Sequence, residues 1–146
     1  MAKLVHILLV EDNEGDIVLA KEALQDAKII NRVSVARDGE EALVFLNRYV
    51  NSSLAAEQPD LVLLDINMPK VNGMEVLVRM KNDDWLKAIP VVMLTTSSSE
   101  KDIRFAYEHH ANCYITKPVD MERFMEVVHK IEDFWVSIVK LPSKEN

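Results

Sequence analysis

Residues 61–65 read LVLLD, a run of four apolar residues that ends on an aspartate. A strand with one wet face alternates apolar and polar residues, so an unbroken apolar run is typical of a strand that is covered on both faces. Such strands occur in parallel sheets, whose successive strands are joined by crossovers that are usually helices. The stretch therefore predicts an α/β fold in which Asp65 stands at the carboxyl end of a buried strand.

Four similar apolar runs lie on either side of this one, at residues 6–10, 32–36, 90–94 and 113–116. Apolar residues at helical spacing separate the runs, and helices are expected at about residues 72–82 and 120–139. Capping-box spacing predicts helix starts at Asp38, with Glu41, and at Ser97, with Glu100. Right-handed crossovers then give a doubly wound, five-stranded parallel sheet of the flavodoxin-like (βα)5 type. The longest connection, residues 50–60, either extends the second helix or forms a surface loop.

Length, charge and composition exclude several classes of protein. At 146 residues the chain fits one domain, and its net charge of −7 repels a phosphate backbone, so direct nucleic-acid binding is not expected. The amino terminus, MAKLVHILLV, has neither a signal-peptide pattern nor a membrane span. The lone cysteine, Cys113, has no partner for an internal disulfide. We expect a soluble, cytoplasmic protein that does not bind membranes.

Three acids stand at predicted strand ends. Glu11 and Asp12 close the first strand and Asp65 closes the third. In an open α/β sheet, ligands bind outside the carboxyl ends of the strands, near the point where strand order reverses. The fold therefore brings three carboxylates into one crevice, where a hard divalent cation would offset their repulsion. Mg²⁺ is the natural candidate.

The last two predicted strands end on groups that suit a phosphorylated aspartate: Thr95 offers a hydroxyl and Lys117 an ammonium. Phosphoryl transfer needs mainly positioning and charge neutralisation, and a carboxylate can serve as the covalent nucleophile. Taken singly, each residue also has an ordinary interpretation, such as a solvated turn, β-propensity or a solvated surface lysine. The functional interpretation depends on all of them ending different strands of one sheet.

Four segments carry a family resemblance: EDN at 11–13, DINMPKVNG at 65–73, MLTTS at 93–97 and YITKP at 114–118. Together they resemble the receiver domains of two-component response regulators, the CheY-like family, over nearly the whole chain. The resemblance implies that Asp65 is the phosphoacceptor of a phosphorelay and that Thr95 and Lys117 bind the phosphoryl group. It also implies that Tyr114 is a switch aromatic that turns inward as the threonine moves.

For the metal, the resemblance implies direct ligation of Mg²⁺, or of Mn²⁺ or Ca²⁺ as a substitute, by Asp12 and Asp65. Glu11 would act largely through metal-bound water and Asn67 through its backbone carbonyl. Glu11 departs from the aspartate that is commoner in the family. Such a protein is not an enzyme acting on an external substrate, although it carries self-phosphorylation and self-dephosphorylation activity. Side chains at Asn67 and Ser97 would border the path of the attacking water.

We assign residues 1–140 to the receiver domain and 141–146 to a tail, with no attached output domain. The output would then be another protein or a histidine phosphotransfer protein. The carboxyl-terminal sequence HKIEDFWVSIVKLP, with Asp16 and the long connection at 50–60, resembles the small response regulators of cyanobacterial and other bacterial phytochromes. This implies a sensor histidine kinase of the phytochrome class as phosphodonor. The aromatics of that tail could equally cover the adjoining core.

Related single-domain receivers often form homodimers through the fourth helix, fifth strand and fifth helix. Here that surface would include Tyr107, Tyr114, Phe124 and residues 134–141. Two other function classes share parts of the pattern. Aspartate-nucleophile phosphohydrolases usually carry D-x-D on the first strand, and nucleotide binders of this topology need a glycine-rich loop there. The sequence EDNEGD at 11–16 fits neither class. The adjacent His109 and His110 are expected to be solvated or capping residues.

Overall fold

A computed structural model describes residues 5–25, 31–54, 57–68, 70–95, 99–111, 113–116 and 126, the last a helical, exposed glutamate. Of Thr95, Cys113, Ile115 and Thr116 the backbone alone is described. Strands and helices alternate in the order β1 (Val5–Val10), α1 (Glu14–Gln25), β2 (Asn31–Ala36), α2 (Gly39–Asn47), β3 (Leu61–Leu64), α3 (Gly73–Lys81), β4 (Val91–Thr95), α4 (Glu100–Glu108) and β5 (Cys113–Thr116). No helix in these ranges has both the length and the apolar character that crossing a bilayer requires. Apart from residue 126, the helix predicted at about 120–139 lies outside the described residues.

The strands form one parallel sheet in the order β2-β1-β3-β4-β5. The chain moves from β1 outward to β2, then crosses back to β3 and continues in the other direction. Strand order therefore reverses between β1 and β3, which is where open α/β sheets bind their ligands. The predicted doubly wound, five-stranded parallel sheet is confirmed.

Helices cover both faces of this sheet, and each face has its own apolar core. Alternate residues of β3 point to opposite faces, so Val62 and Leu64 pack with α2, α3 and α4, while Leu61 and Leu63 pack with α1. All four are at most 2% exposed. Burying one such side chain contributes roughly 1.5–3 kcal/mol, which explains why this strand carries no polar residue.

Several predicted boundaries are confirmed to within a residue, and β3 and β5 match their predicted bounds. β4 begins at Val91 rather than at Pro90, because proline has no amide hydrogen to donate to the ladder. The prediction of a cap at Ser97 was wrong: Ser99 accepts the amide of Asp102 at 3.2 Å and α4 begins at Glu100. Ser97 itself lies outside the described residues.

The long connection between α2 and β3 is a surface loop over its described residues and does not extend the helix. α2 ends at Asn47, and the chain turns through residues 48–54. Asn51 has a φ of 47°, a left-handed conformation that asparagine tolerates better than most residues and that a continuing helix cannot contain.

Candidate functional site

The backbones that carry Glu11 and Asp65 leave the sheet side by side. Val10 and Leu64, the last residues of β1 and β3, are register partners. The amide of Asp65 donates to the carbonyl of Val10 at 3.0 Å, and the amide of Glu11 donates to the carbonyl of Ala36 at 2.9 Å. The hydrogen-bonded ladder thus extends one residue beyond each strand and holds both acids at the same edge.

Three carboxylates meet at this edge. Glu11, Asp12 and Asp65 each place an oxygen within 4.8 Å of the other two. Glu11 is 1% exposed and Asp65 is 5% exposed, whereas Asp12 is open to solvent. Two unit charges at that separation repel by about 3 kcal/mol at an effective dielectric constant of 20. A group of hard oxygen donors with this much negative charge fits a divalent cation such as Mg²⁺ or Mn²⁺.

Asn13 fixes the turn that follows the first two acids. Its side-chain oxygen accepts the amide of Asp16 at 2.9 Å, which caps α1, and its own amide donates to a carboxylate oxygen of Glu11 at 3.2 Å. One residue thus joins the start of the helix to the orientation of a buried acid. Sequence reasoning did not identify this role, although an asparagine just before a helix is a recognisable cap signal.

The loop of residues 65–73 is closed tightly on itself. The carbonyl of Ile66 accepts the amides of Met68, at 3.1 Å, and of Gly73, at 2.9 Å. Ile66 and Met68 are buried, whereas Asn67 between them is exposed. A Cβ on Gly73 would lie 2.0 Å from the carbonyl oxygen of Asp65, so only glycine lets α3 start against the backbone of this aspartate.

The remaining predicted site residues follow from strand register. Leu64 pairs with Met93, and Met93 pairs with Tyr114, so Asp65 and the ends of β4 and β5 share one edge of the sheet. Thr95 is the last residue of β4, and its backbone pairs with that of Thr116. Lys117 comes next in the chain and lies outside the described residues. Tyr114 is half-buried and packs against the core that α2, α3 and α4 cover.

His6 is a buried polar residue that sequence reasoning missed. It is 4% exposed and stands near the amino end of β1, away from the acids. Its Nε2 lies 2.8 Å from the hydroxyl of Ser34, and its Nδ1 lies 2.9 Å from the carbonyl oxygen of Glu57. Burial lowers its pKa, and the nearby Arg32 lowers it further against the opposing effects of Glu57 and Asp60. A histidine inside an apolar run was the signal for this polar contact between strands.

The other histidines do not form a site with an acid within the described ranges, where the three acids are the one cluster able to share a cation. His109 stacks on Phe105 with ring centroids 4.2 Å apart, and His110 is exposed.

Comparison with known proteins adds relatives of the whole chain. Residues 7–129 match the family model of the response regulator receiver domain. The response regulator Rcp1 of Synechocystis sp. is 44% identical over 140 residues, covering 94% of this chain and 92% of that protein. The crystal structure of the phosphorylated cyanobacterial phytochrome response regulator RcpA is 46% identical, covers 97% of this chain and 100% of that one, and superposes with a TM-score of 0.80. The Mn(2+)-bound form of Rcp1 is 43% identical, covers 95% and 99%, and has a TM-score of 0.78.

Proposed function

This chain belongs to the response regulator receiver domain family, and on that premise we propose that Asp65 is its phosphoacceptor. The observation that carries the proposal is the meeting of Glu11, Asp12 and Asp65 within 4.8 Å at the carboxyl edge of the sheet. As a receiver domain, the protein takes its phosphoryl group from a histidine kinase. We assign residues 1–140 to the receiver domain, with 141–146 as a tail, and we place the protein in the cytoplasm.

Transfer to Asp65 is a displacement at phosphorus. One carboxylate oxygen attacks the phosphorus of the donor phosphohistidine, the P–N bond breaks, and the imidazole leaves with the electron pair and takes up a proton. A divalent cation, when bound, neutralises charge on the acids and on the phosphoryl oxygens. Glu11 and Asp12 supply the remaining acidic oxygens, and the ladder bonds at Val10 and Ala36 hold these groups in place before the donor arrives.

We assign the metal, Mg²⁺ or its substitutes Mn²⁺ and Ca²⁺, to direct ligation by Asp12 and Asp65. Glu11 would contribute through a bound water and Asn67 through its backbone carbonyl. The exposure of Asn67 between two buried neighbours supports this assignment, because the flanking side chains hold its peptide at the surface of the site.

We assign Thr95 and Lys117 to the phosphoryl oxygens, and Tyr114 to the switch. Register supports the assignment, since Thr95 ends the strand beside β3 and Lys117 follows the strand next to it.

Release of inorganic phosphate reverses the switch: a water attacks phosphorus and the acyl phosphate bond to Asp65 breaks. We expect substitutions at Asn67 and Ser97 to change the rate of phosphate release more than the rate of phosphorylation. Both rates are measured from the phosphorylated fraction of the protein over time. Equal decay in wild type and both variants would contradict that expectation.

One experiment tests the acceptor. The protein is incubated with Mg²⁺ and acetyl phosphate, and wild type is compared with Asp65→Asn by intact mass. We expect one added phosphoryl group in the wild type and none in the variant. Asp84→Asn is the matched control, because Asp84 is 90% exposed and precedes the amino end of β4, at the other edge of the sheet. Equal labelling of Asp65→Asn and wild type would refute the assignment.

We propose a phytochrome-class sensor kinase as donor, supported by the likeness to a phytochrome response regulator over 97% of this chain. The kinase domain of such a phytochrome should phosphorylate this protein faster than does a sensor histidine kinase that is not a phytochrome. Equal rates from both kinases would remove the support. The phosphate would then be read by another protein or passed to a histidine phosphotransfer protein.

We further propose a homodimer that uses the surface of Tyr107, Tyr114, Phe124 and residues 134–141. Within the described residues, Tyr107 is 49% exposed on α4, which supports the assignment. Removing residues 136–146 should weaken self-association without abolishing phosphorylation. Sedimentation that shows an unchanged monomer–dimer equilibrium in the truncated protein would contradict it.

A further inference from the structure

The first turn of α2 packs directly on the loop of residues 65–73. Gly39, the buried first residue of α2, has no side chain, and a Cβ there would lie 1.9 Å from the carbonyl oxygen of Val71 and 2.6 Å from its carbonyl carbon. Its φ is not positive, so backbone freedom does not explain the glycine. Space does: any larger residue must push either the helix or the loop away.

A second contact joins the same two segments. Lys70 has a φ of 64°, an uncommon conformation for a residue other than glycine, which persists where the surroundings determine it. Its ammonium lies 3.8 Å from Oδ2 of Asp38 and 3.9 Å from Oε2 of Glu40. The other oxygen of Asp38 accepts the amide of Glu41 at 2.7 Å and so caps α2. The helix start therefore contacts Lys70 as well as Val71.

The loop has little slack to absorb a shift at Val71. Its far end is held because Gly73 donates to the carbonyl of Ile66 and stands against the carbonyl of Asp65. Ile66 and Met68 are buried in the core on either side of Asn67. We expect a displacement at Val71 to reach the peptide between Asp65 and Met68 through Gly73, two residues further on, because Gly73 is hydrogen-bonded to Ile66 and packed against Asp65.

From these contacts we propose that Gly39 is a positioning residue for the divalent-cation site, acting through the 65–73 loop on Asp65 and the carbonyl of Asn67. The start of α2, which provides no ligand, thereby belongs to the support of the site. This inference rests on the proposed function, since it takes Asp65 and Asn67 as ligands. Its effect is expected in metal affinity, because the ligands would be present but misplaced.

The test is Mn²⁺ binding to the full chain, measured by the electron paramagnetic resonance signal of free Mn²⁺ at a temperature where circular dichroism shows every variant folded. Gly39→Ala should raise the dissociation constant about ten- to hundred-fold, the range for residues that orient metal ligands. Leu46→Val is the matched control, because Leu46 is buried in the same helix at its other end. It should lower stability and leave the dissociation constant unchanged.

Equal affinity of folded Gly39→Ala and wild type would overturn the proposal, as would an equal loss of affinity in the Leu46→Val control.

If Gly39→Ala does not fold, a second pair of variants decides. Lys70→Val and Lys70→Asn remove the same charge, but asparagine adopts a positive φ readily and a β-branched residue does not. Weaker Mn²⁺ binding by Lys70→Val supports the proposal, and equal binding overturns it. Wild type that binds no Mn²⁺ would instead refute the proposed function.

Discussion

Neutralising Asp65 should stabilise the metal-free protein. Asp65 and Glu11 are almost completely buried, and their oxygens lie within 4.8 Å of each other and of Asp12. One pair of unit charges at that distance repels by about 3 kcal/mol at an effective dielectric constant of 20. Asparagine has nearly the same shape as aspartate and no charge, so Asp65→Asn relieves this repulsion without opening a cavity.

Relaxation and residual hydration reduce the full Coulomb value, so we expect a gain of about 1–3 kcal/mol in the free energy of unfolding. For a domain of this size, 1 kcal/mol shifts the melting temperature by about 2–4 °C, which gives a rise of about 2–12 °C in EDTA. Mg²⁺ should narrow or reverse the difference. Wild type at a hundred times its dissociation constant gains about 2.7 kcal/mol, and the variant, which lacks one ligand charge, gains less.

The assay is thermal unfolding by circular dichroism in EDTA and in saturating Mg²⁺, with Asp84→Asn as control. Asp84 is 90% exposed and lies 3.1 Å from Lys87, so its neutralisation should change stability by no more than about 0.5 kcal/mol in either buffer. A lower melting temperature for Asp65→Asn than for wild type in EDTA would refute the reasoning. It would mean that the favourable contacts of Asp65 outweigh its repulsion by Glu11 and Asp12 in the folded, metal-free protein.

Three further predictions concern other parts of the molecule. Gly73→Ala should lower the free energy of unfolding, measured by urea denaturation, by about 1–3 kcal/mol, because its Cβ would lie 2.0 Å from the carbonyl oxygen of Asp65. A variant that unfolds at the same urea concentration as wild type would contradict this close contact. Because burial lowers the pKa of His6 below 6.5, the unfolded state takes up its proton first and stability should fall, by at most about 1 kcal/mol, as the pH drops from 6.5 to 5.5. Urea midpoints should show this slope in wild type and in the exposed-site variant His110→Gln but not in His6→Asn. Lys81→Met should cost about 1–3 kcal/mol, since its ammonium donates to the carbonyls of Lys87, at 3.0 Å, and Ile89, at 2.7 Å; an unchanged calorimetric melting temperature would show that these bonds contribute nothing.

The strands could be predicted from the sequence because local apolar runs report directly on burial. LVLL at 61–64 is a strand with the predicted bounds, and the predicted cap Asp38 accepts the amide of Glu41 at 2.7 Å. The start of α4 could not be assigned in this way. Ser97 and Ser99 belong to one run of serines, and the capping-box spacing favoured Ser97, whereas Ser99 is the residue whose side chain accepts the first-turn amide.

The sequence by itself determined the class of the sheet, the three acids at strand ends and the family. Each of these depends on residue type, order and spacing along the chain. Only the tertiary structure decided how the acids are held: ladder bonds beyond the strand ends, the double role of Asn13, and the glycines at 39 and 73. These depend on distances between segments far apart in the chain. Gly39 is required because the carbonyl of Val71 leaves no room for a side chain, whereas other glycines are required by the backbone conformation of a turn. The sequence shows a glycine in either case and does not distinguish the two reasons.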